Sequence, residues 1–168
     1  MKNFDKELFL KFLKQARLEA YIHERNSIRY KNLPGFSGRV YDDGESRLTL
    51  LQSGLENTSY IEIGYRNKVT VWNLTHRGHF LYEDSTNKNR QIDMFRFMLV
   101  MVAFLKKSIG QPGSPHRVRG PNKFVDQTME YECIQSSQTF PVTGVERVFY
   151  QKKLVYEARF SAGWLRNN

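Results

Sequence analysis

YIEIGYRNKVTVWNLTHRG, Tyr60 to Gly78, is the stretch from which the fold is read. Ile61, Ile63 and Tyr65 alternate with Glu62 and Gly64, the two-residue period of a half-buried strand with its apolar side chains turned inward. Arg66, Asn67 and Lys68 then form a polar break. Asn tolerates left-handed backbone angles, which suits a tight hairpin turn. Val69 to Leu74 is rich in β-branched and aromatic residues that fit a pleated surface, and Gly78 closes the run.

Near the C-terminus the pattern returns as VERVFYQKKLVYEARFSAG, Val145 to Gly163. Tyr150 ends its first strand, Gln151, Lys152 and Lys153 make a polar turn, and Val155-Tyr156 stands where Val71-Trp72 stood. Leu154, Tyr156, Ala158 and Phe160 share one face, while Glu157 and Arg159 take the other. Two related hairpins in one antiparallel sheet with a single buried face account for both stretches. The plainer account is that unrelated hairpins look somewhat alike.

Outward from the hairpins, Asp5 to about Ile22 is an amphipathic helix, with Leu8, Phe9, Phe12, Leu13, Ala16 and Ala20 on one stripe and Asn3 or Asp5 as its cap. Arg39 to Tyr41 and Arg47 to Gln52 are short strands. His79 to Tyr82 continues the first hairpin, and Glu83 to Asn89 is a polar loop. Gln91 to Ile109 is a second helix. Met94 to Leu105 is apolar except for Arg96, which predicts a helix buried on most sides and lying across the sheet as its main filler. Gly110 and Pro112 end it. QPGSPHRVRGPNK, Gln111 to Lys123, is the longest loop, and long loops in compact domains tend to be functional. Phe124 to Ile134 follows as one strand.

A length of 168 residues, with 40% hydrophobic and 26% charged residues, predicts one folded domain over residues 1–168 and excludes a disordered chain. The net charge of +9 favours anionic partners, nucleic acid among them, although the cations are dispersed along the chain. Cys133 is the only cysteine, so no intrachain disulfide forms, which fits a cytoplasmic setting. The N-terminal stretch lacks the apolar core of a signal peptide, and no run is long enough to span a membrane.

The order of the pieces resembles the prokaryotic domain-of-unknown-function family DUF5680. The resemblance rests on the opening helix into Ala20-Tyr21, Leu33-Pro34-Gly35 with Tyr41, Val71-Trp72 with Gly78, Arg119-Gly120-Pro121, and Val155-Tyr156-Glu157 with Arg159 and Gly163. The chain departs from it at His76-Arg77, where the family carries an aromatic pair, and in a longer Glu83 to Arg90 loop. The resemblance implies a compact α+β domain and no particular reaction. Since members stand alone or behind helix-turn-helix regulators, it also implies a sensor or interaction module.

Several constellations can carry chemistry. His116, Arg117 and Arg119 sit together in the proline-rich loop, and an arginine fork reads carboxylates or phosphates bidentately. The structural alternative for Arg119 is to tie the loop to backbone carbonyls or to Glu130. His76 and His79 have the spacing of a metal pair only if a third ligand converges, and three residues apart on a strand they face opposite ways. Glu157 beside His76 would make an acid–base pair. Trp72 with the hairpin tyrosines is a stacking platform or, more simply, core. Cys133 among apolar neighbours is a buried, inert thiol.

The reading that results is an α+β fold: a curved antiparallel sheet with two related hairpins packed on a buried helix, plus an N-terminal amphipathic helix. Its function is the non-enzymatic binding of a polar or anionic small ligand, with Arg119, Trp72, His76, Arg117 and Glu157 as contacts and with no metal or cofactor. The alternatives are a nucleic-acid-binding protein and a small hydrolase-like enzyme using His76, His79 and Glu157.

Overall fold

The computed structural model of the chain describes residues 4–22, 27–29, 36–54, 57–81, 88–111 and 117–165. Helix α1 (Lys6–Arg17) is capped by the Asp5 carboxylate, which accepts a 3.0 Å hydrogen bond from the Leu8 amide and satisfies one of the donors a helix start leaves open. A π-helical turn, Leu18–Ile22, extends it. The strands are β1 (Ser27–Arg29), β2 (Phe36–Asp42), β3 (Ser46–Ser53), β4 (Asn57–Arg66) and β5 (Val69–Phe80). After helix α2 (Lys88–Ile109) come β6 (Lys123–Asp126), β7 (Met129–Gln135), β8 (Val142–Tyr150) and β9 (Lys153–Trp164).

All nine strands form one antiparallel sheet in the order β1-β2-β3-β4-β5-β9-β8-β7-β6. Each half of the chain is thus a helix followed by a meander, and the halves join along the β5–β9 seam. The two hairpins share more than their sequence pattern. Asn67 and Lys68 turn the first with φ of 49° and 67°, and Gln151 and Lys152 turn the second with the same two angles. Both ladders slip close to the turn, between Gly64 and Tyr65 in one and between Val148 and Phe149 in the other. Such bulges bend and twist a strand pair. Superposing the turns places Glu62 on Glu146, Trp72 on Tyr156 and His76 on Phe160. His76 and Phe160 are also partners across the seam, so the pseudo-twofold relation between the halves passes through that pair.

The inner face carries Leu48, Leu50, Trp72, Leu74, Phe80, Tyr131, Val148, Tyr156 and Phe160, all buried. Helix α1 lies on the first half of it. Phe9 seats against Gly64, where a Cβ would stand 2.9 Å from the Phe9 ring, and Phe12 meets Tyr41. Burying each such side chain contributes roughly 1.5–3 kcal/mol. Helix α2 lies on the second half, with Phe97 against Tyr150 and Phe104 against Phe124.

Three expectations are corrected here. Helix α2 buries Met98, Met101, Phe104 and Ser108 and leaves Phe95, Leu99 and Val100 about half exposed, so only one of its faces is core and α1 fills the sheet as much as it does. In β4 the inward set is Tyr60, Glu62 and Gly64, while Ile61 faces solvent. Pairing decides this: Glu62 lies opposite Leu74 and Gly64 opposite Trp72, and β5 turns those residues to the core. Phe124 to Ile134 is two strands rather than one, reversed at Gln127 with φ 54°. Leu33-Pro34-Gly35, His116 and most of the Glu83 to Asn89 loop lie outside the described residues.

Candidate functional site

Two carboxylates, Glu62 and Glu146, are fully buried on the inner face at equivalent places in the two hairpins. An ionised carboxylate out of water is costly unless it is paired and hydrogen-bonded. Both are. Arg17, arriving from the end of α1, donates to Glu62 from Nε at 2.8 Å and from Nη2 at 2.5 Å. The Tyr60 hydroxyl donates to Glu62 Oε1, and the Trp72 indole N–H approaches Oε2 at 3.3 Å. Glu146 accepts from Arg119 Nε at 3.1 Å, from the Tyr131 hydroxyl at 2.5 Å and from His76 Nε2 at 2.8 Å. Arg119 joins the two centres, since its Nη1 also donates to the Tyr60 oxygen at 3.1 Å and its guanidinium lies over the Tyr60 ring at 5.2 Å.

The electrostatics follow from this geometry. Burial alone would raise the Glu62 pKa, but the Arg17 charge and hydrogen bonds outweigh it and hold the carboxyl below its usual range. At Glu146 burial is likewise outweighed, by Arg119 and His76. Burial pushes His76 down, only partly opposed by Glu146, so its ring is neutral at pH 7. Burial pushes the Tyr131 and Tyr156 hydroxyls well up, and both stay protonated. Because Glu146 is ionised and can only accept, His76 Nε2 carries the ring proton. Nδ1 is then a bare acceptor, buried and without a hydrogen-bond partner among the described residues.

Tyr60 of this network also borders a cleft at the surface. This small, open cleft, with a cavity volume of about 10 Å³, is lined by Ser37, Gly38, Arg39, Leu50, Gln52 and Tyr60. Strand register puts Ser37, Gln52, Tyr60, His76, Phe160, Gly144 and Gln135 in a single cross-strand row. The pocket occupies one end of that row and His76 its middle. Among the described residues no group of three or more His, Cys, Asp or Glu is placed to hold a metal ion.

Of the residues singled out from sequence, Arg119, His76 and Trp72 come together on the Glu62–Glu146 network. Arg119 ties its loop to Glu146 rather than to Glu130, which instead pairs with Lys123. Trp72 is wholly buried against Phe140 and Trp164. Arg117 bonds the Gly120 carbonyl at 2.9 Å, the Cys133 carbonyl at 2.7 Å and the Asn122 side chain. Glu157 lies on the opposite face of the seam from His76, next to His79 across the strands and 3.0 Å from Arg147. Cys133 is buried, and burial pushes its thiol up. Arg17, Tyr60, Glu62, Tyr131 and Glu146 were not singled out. The usable signal was the repeat itself, because aligning the two turns brings Glu62 onto Glu146, and an acidic residue recurring at the same strand position has a shared reason to be there.

A family model described as Domain of unknown function (DUF5680) matches residues 51–165, the part of the chain that holds both hairpins, the seam and Arg119. No curated protein and no solved structure matches the chain. Among the described residues no helix is long and apolar enough to cross a membrane.

Proposed function

The chain belongs to the DUF5680 family, and from that premise we propose that it is a non-enzymatic binding module for a small anionic or polar ligand, which docks in the pocket over Tyr60. The observation that carries the reading is the dual position of Tyr60. Its side chain lines the pocket, while its hydroxyl bonds Glu62 of the first half and receives Arg119 of the second. A ligand that moves this ring acts on both carboxylate centres at once. Arg39, Gln52 and Ser37 supply a cation, an amide and a hydroxyl, the groups that orient a small acid in an otherwise narrow cleft. Arg119 and His76 then serve beneath the pocket, not in direct contact with the ligand.

The network is poorly suited to catalysis. Its carboxylates are held ionised and the Tyr131 phenol protonated, so none of these is poised to exchange a proton near neutral pH. Nor do His76, His79 and Glu157 converge, since the first is buried and the other two lie on the outer face. The nucleic-acid reading draws on the net charge of +9, yet Arg17 and Arg119 are spent on buried carboxylates.

A thermal-shift screen of small carboxylates and phosphates tests the proposal. A true ligand at a hundredfold excess over its Kd raises Tm by about 5–11 °C. Arg39→Ala abolishes the shift and Tyr60→Phe reduces it. A library without a stabilising acid, or a shift unchanged in Arg39→Ala, defeats the reading.

A further inference from the structure

Helices α1 and α2 both lie on the inner face of the sheet, and the outer face of the β5–β9 seam is open to solvent at Thr75, Arg77, His79, Arg159 and Ser161. Arg77 and Arg159 are direct partners across that seam. Like charges placed opposite each other on one face of a strand pair are destabilising, yet here they stand in the central ladder. Among the described residues neither guanidinium makes a hydrogen bond or an ion pair. Arginines on neighbouring strands are engaged: Arg47 by Asp42, Arg66 by Glu45 and Arg147 by Glu157. Glu157, the acid two residues before Arg159 on the same face, is therefore already taken. Hydroxyls border the pair instead. Ser59 lies opposite Arg77 on β4, and Thr75 and Ser161, partners of each other, form the next rung. All three are exposed.

Two guanidinium forks with hydroxyls beside them match a compact group that carries two negative charges and several acceptor oxygens. We propose that Arg77 and Arg159 form a second site, separate from the cleft over Tyr60, that binds a phosphomonoester dianion. Each guanidinium takes one edge of the phosphoryl group, and the flanking hydroxyls donate to its remaining oxygen. A phosphodiester fits less well, because it brings one charge to two cations. A nucleic-acid strand would also need cations for its next phosphates. The cross-strand row through the pair runs Ser53, Ser59, Arg77, Arg159, Val145, Ile134 and offers no other cation. The same chemistry is presented by a small free phosphomonoester and by a phosphorylated serine in a peptide.

Isothermal titration in low salt tests this, run above the second pKa of the monoester, about 6. The probes are methyl phosphate, dimethyl phosphate, an acetylated pentapeptide centred on phosphoserine, and the same peptide unphosphorylated. Methyl phosphate binds, dimethyl phosphate binds roughly tenfold weaker or worse, and Arg77→Gln and Arg159→Gln each weaken methyl phosphate by roughly tenfold. Arg47→Gln and Arg39→Ala leave that affinity unchanged. Either seam substitution relieves the like-charge contact, so a urea midpoint at or above wild type is expected, and the loss of binding is not a loss of folding. A phosphopeptide that matches methyl phosphate assigns a small phosphomonoester, and phosphate-dependent tighter binding assigns a phosphorylated segment; both support the site. Equal affinity for methyl and dimethyl phosphate, or no binding of methyl phosphate, overturns the proposal. So does an affinity that falls in Arg39→Ala and not in Arg77→Gln, a result that leaves the cleft over Tyr60 standing as the anion site.

Discussion

His76 and the two carboxylates set how the fold responds to acid. An unfolded histidine takes up its proton near pH 6.5, while folded His76, buried against Tyr60 and Tyr156 and facing Glu146, Glu62 and Arg119, takes it up lower. Between those values the unfolded chain binds more protons, so stability falls as pH drops. Glu62 and Glu146 act in the same direction at lower pH. Their folded pKa values lie below the ordinary 4.5, so their contribution is complete above that value and is lost as the medium becomes more acidic. Urea denaturation between pH 7 and pH 3 is expected to show two descending segments. His76→Gln removes the upper one, about 1.4 kcal/mol per pH unit at most, and leaves the lower. A flat wild-type profile from pH 6.5 to pH 5 would show that the ring is not held neutral. None of this was legible from Glu62 and Glu146 alone. A glutamate alternating with isoleucine reads as a solvent-facing residue, and only the pairing of Glu62 with Leu74 turns it inward. Arg119 was legible, because an arginine pair before Gly120-Pro121 in a proline-rich loop points to a charged or carbonyl partner; that the partner is Glu146 was not.

Helix α2 shows where a pattern of residues misleads at the level of an element. Met94 to Leu105 is apolar except for Arg96, yet Leu99 and Val100 are about half exposed and Met101 is fully buried. Met101→Ala is expected to lose about 2–5 kcal/mol, whereas Leu99→Gln stays within about 0.5 kcal/mol of wild type. Equal losses at the two positions would mean that the outer face is covered after all. The hairpin turns offer the opposite sign. Lys68 and Lys152 both sit at φ 67°, a left-handed region that disfavours residues with a Cβ and suits glycine. Lys152→Gly is expected to stabilise the protein by about 1 kcal/mol, measured as a higher urea midpoint with an unchanged slope. Turn chemistry also explains the missed β6–β7 reversal. Gln127-Thr128 has neither the Asn of the first hairpin turn nor the polar, basic run of the second, so one strand is expected where there are two.

At the scale of the molecule, the order of strands makes β5 and β9 the middle of the sheet and β1 and β6 its rims. Amides in the Trp72–Phe80 and Tyr156–Trp164 ladders are expected to exchange with deuterium slowest, and those of β6 fastest among the ladders of the second half. Comparable rates in β6 and β9 would refute a cooperative seam. Both hairpins, the helices and the antiparallel class were readable because each is local: a two-residue or 3.6-residue period, a cap, a turn. The seam joins residues far apart in sequence, and nothing local announces that His76 will meet Phe160.

That meeting has a further consequence. A ladder centred on one pair and running between two like halves makes no distinction between a partner from the same chain and one from a neighbour. Two copies can trade their C-terminal halves, each closing its β5 with the other's β9 at no loss of backbone bonding. Crowded refolding therefore favours an intertwined pair, and dilute refolding a solitary molecule.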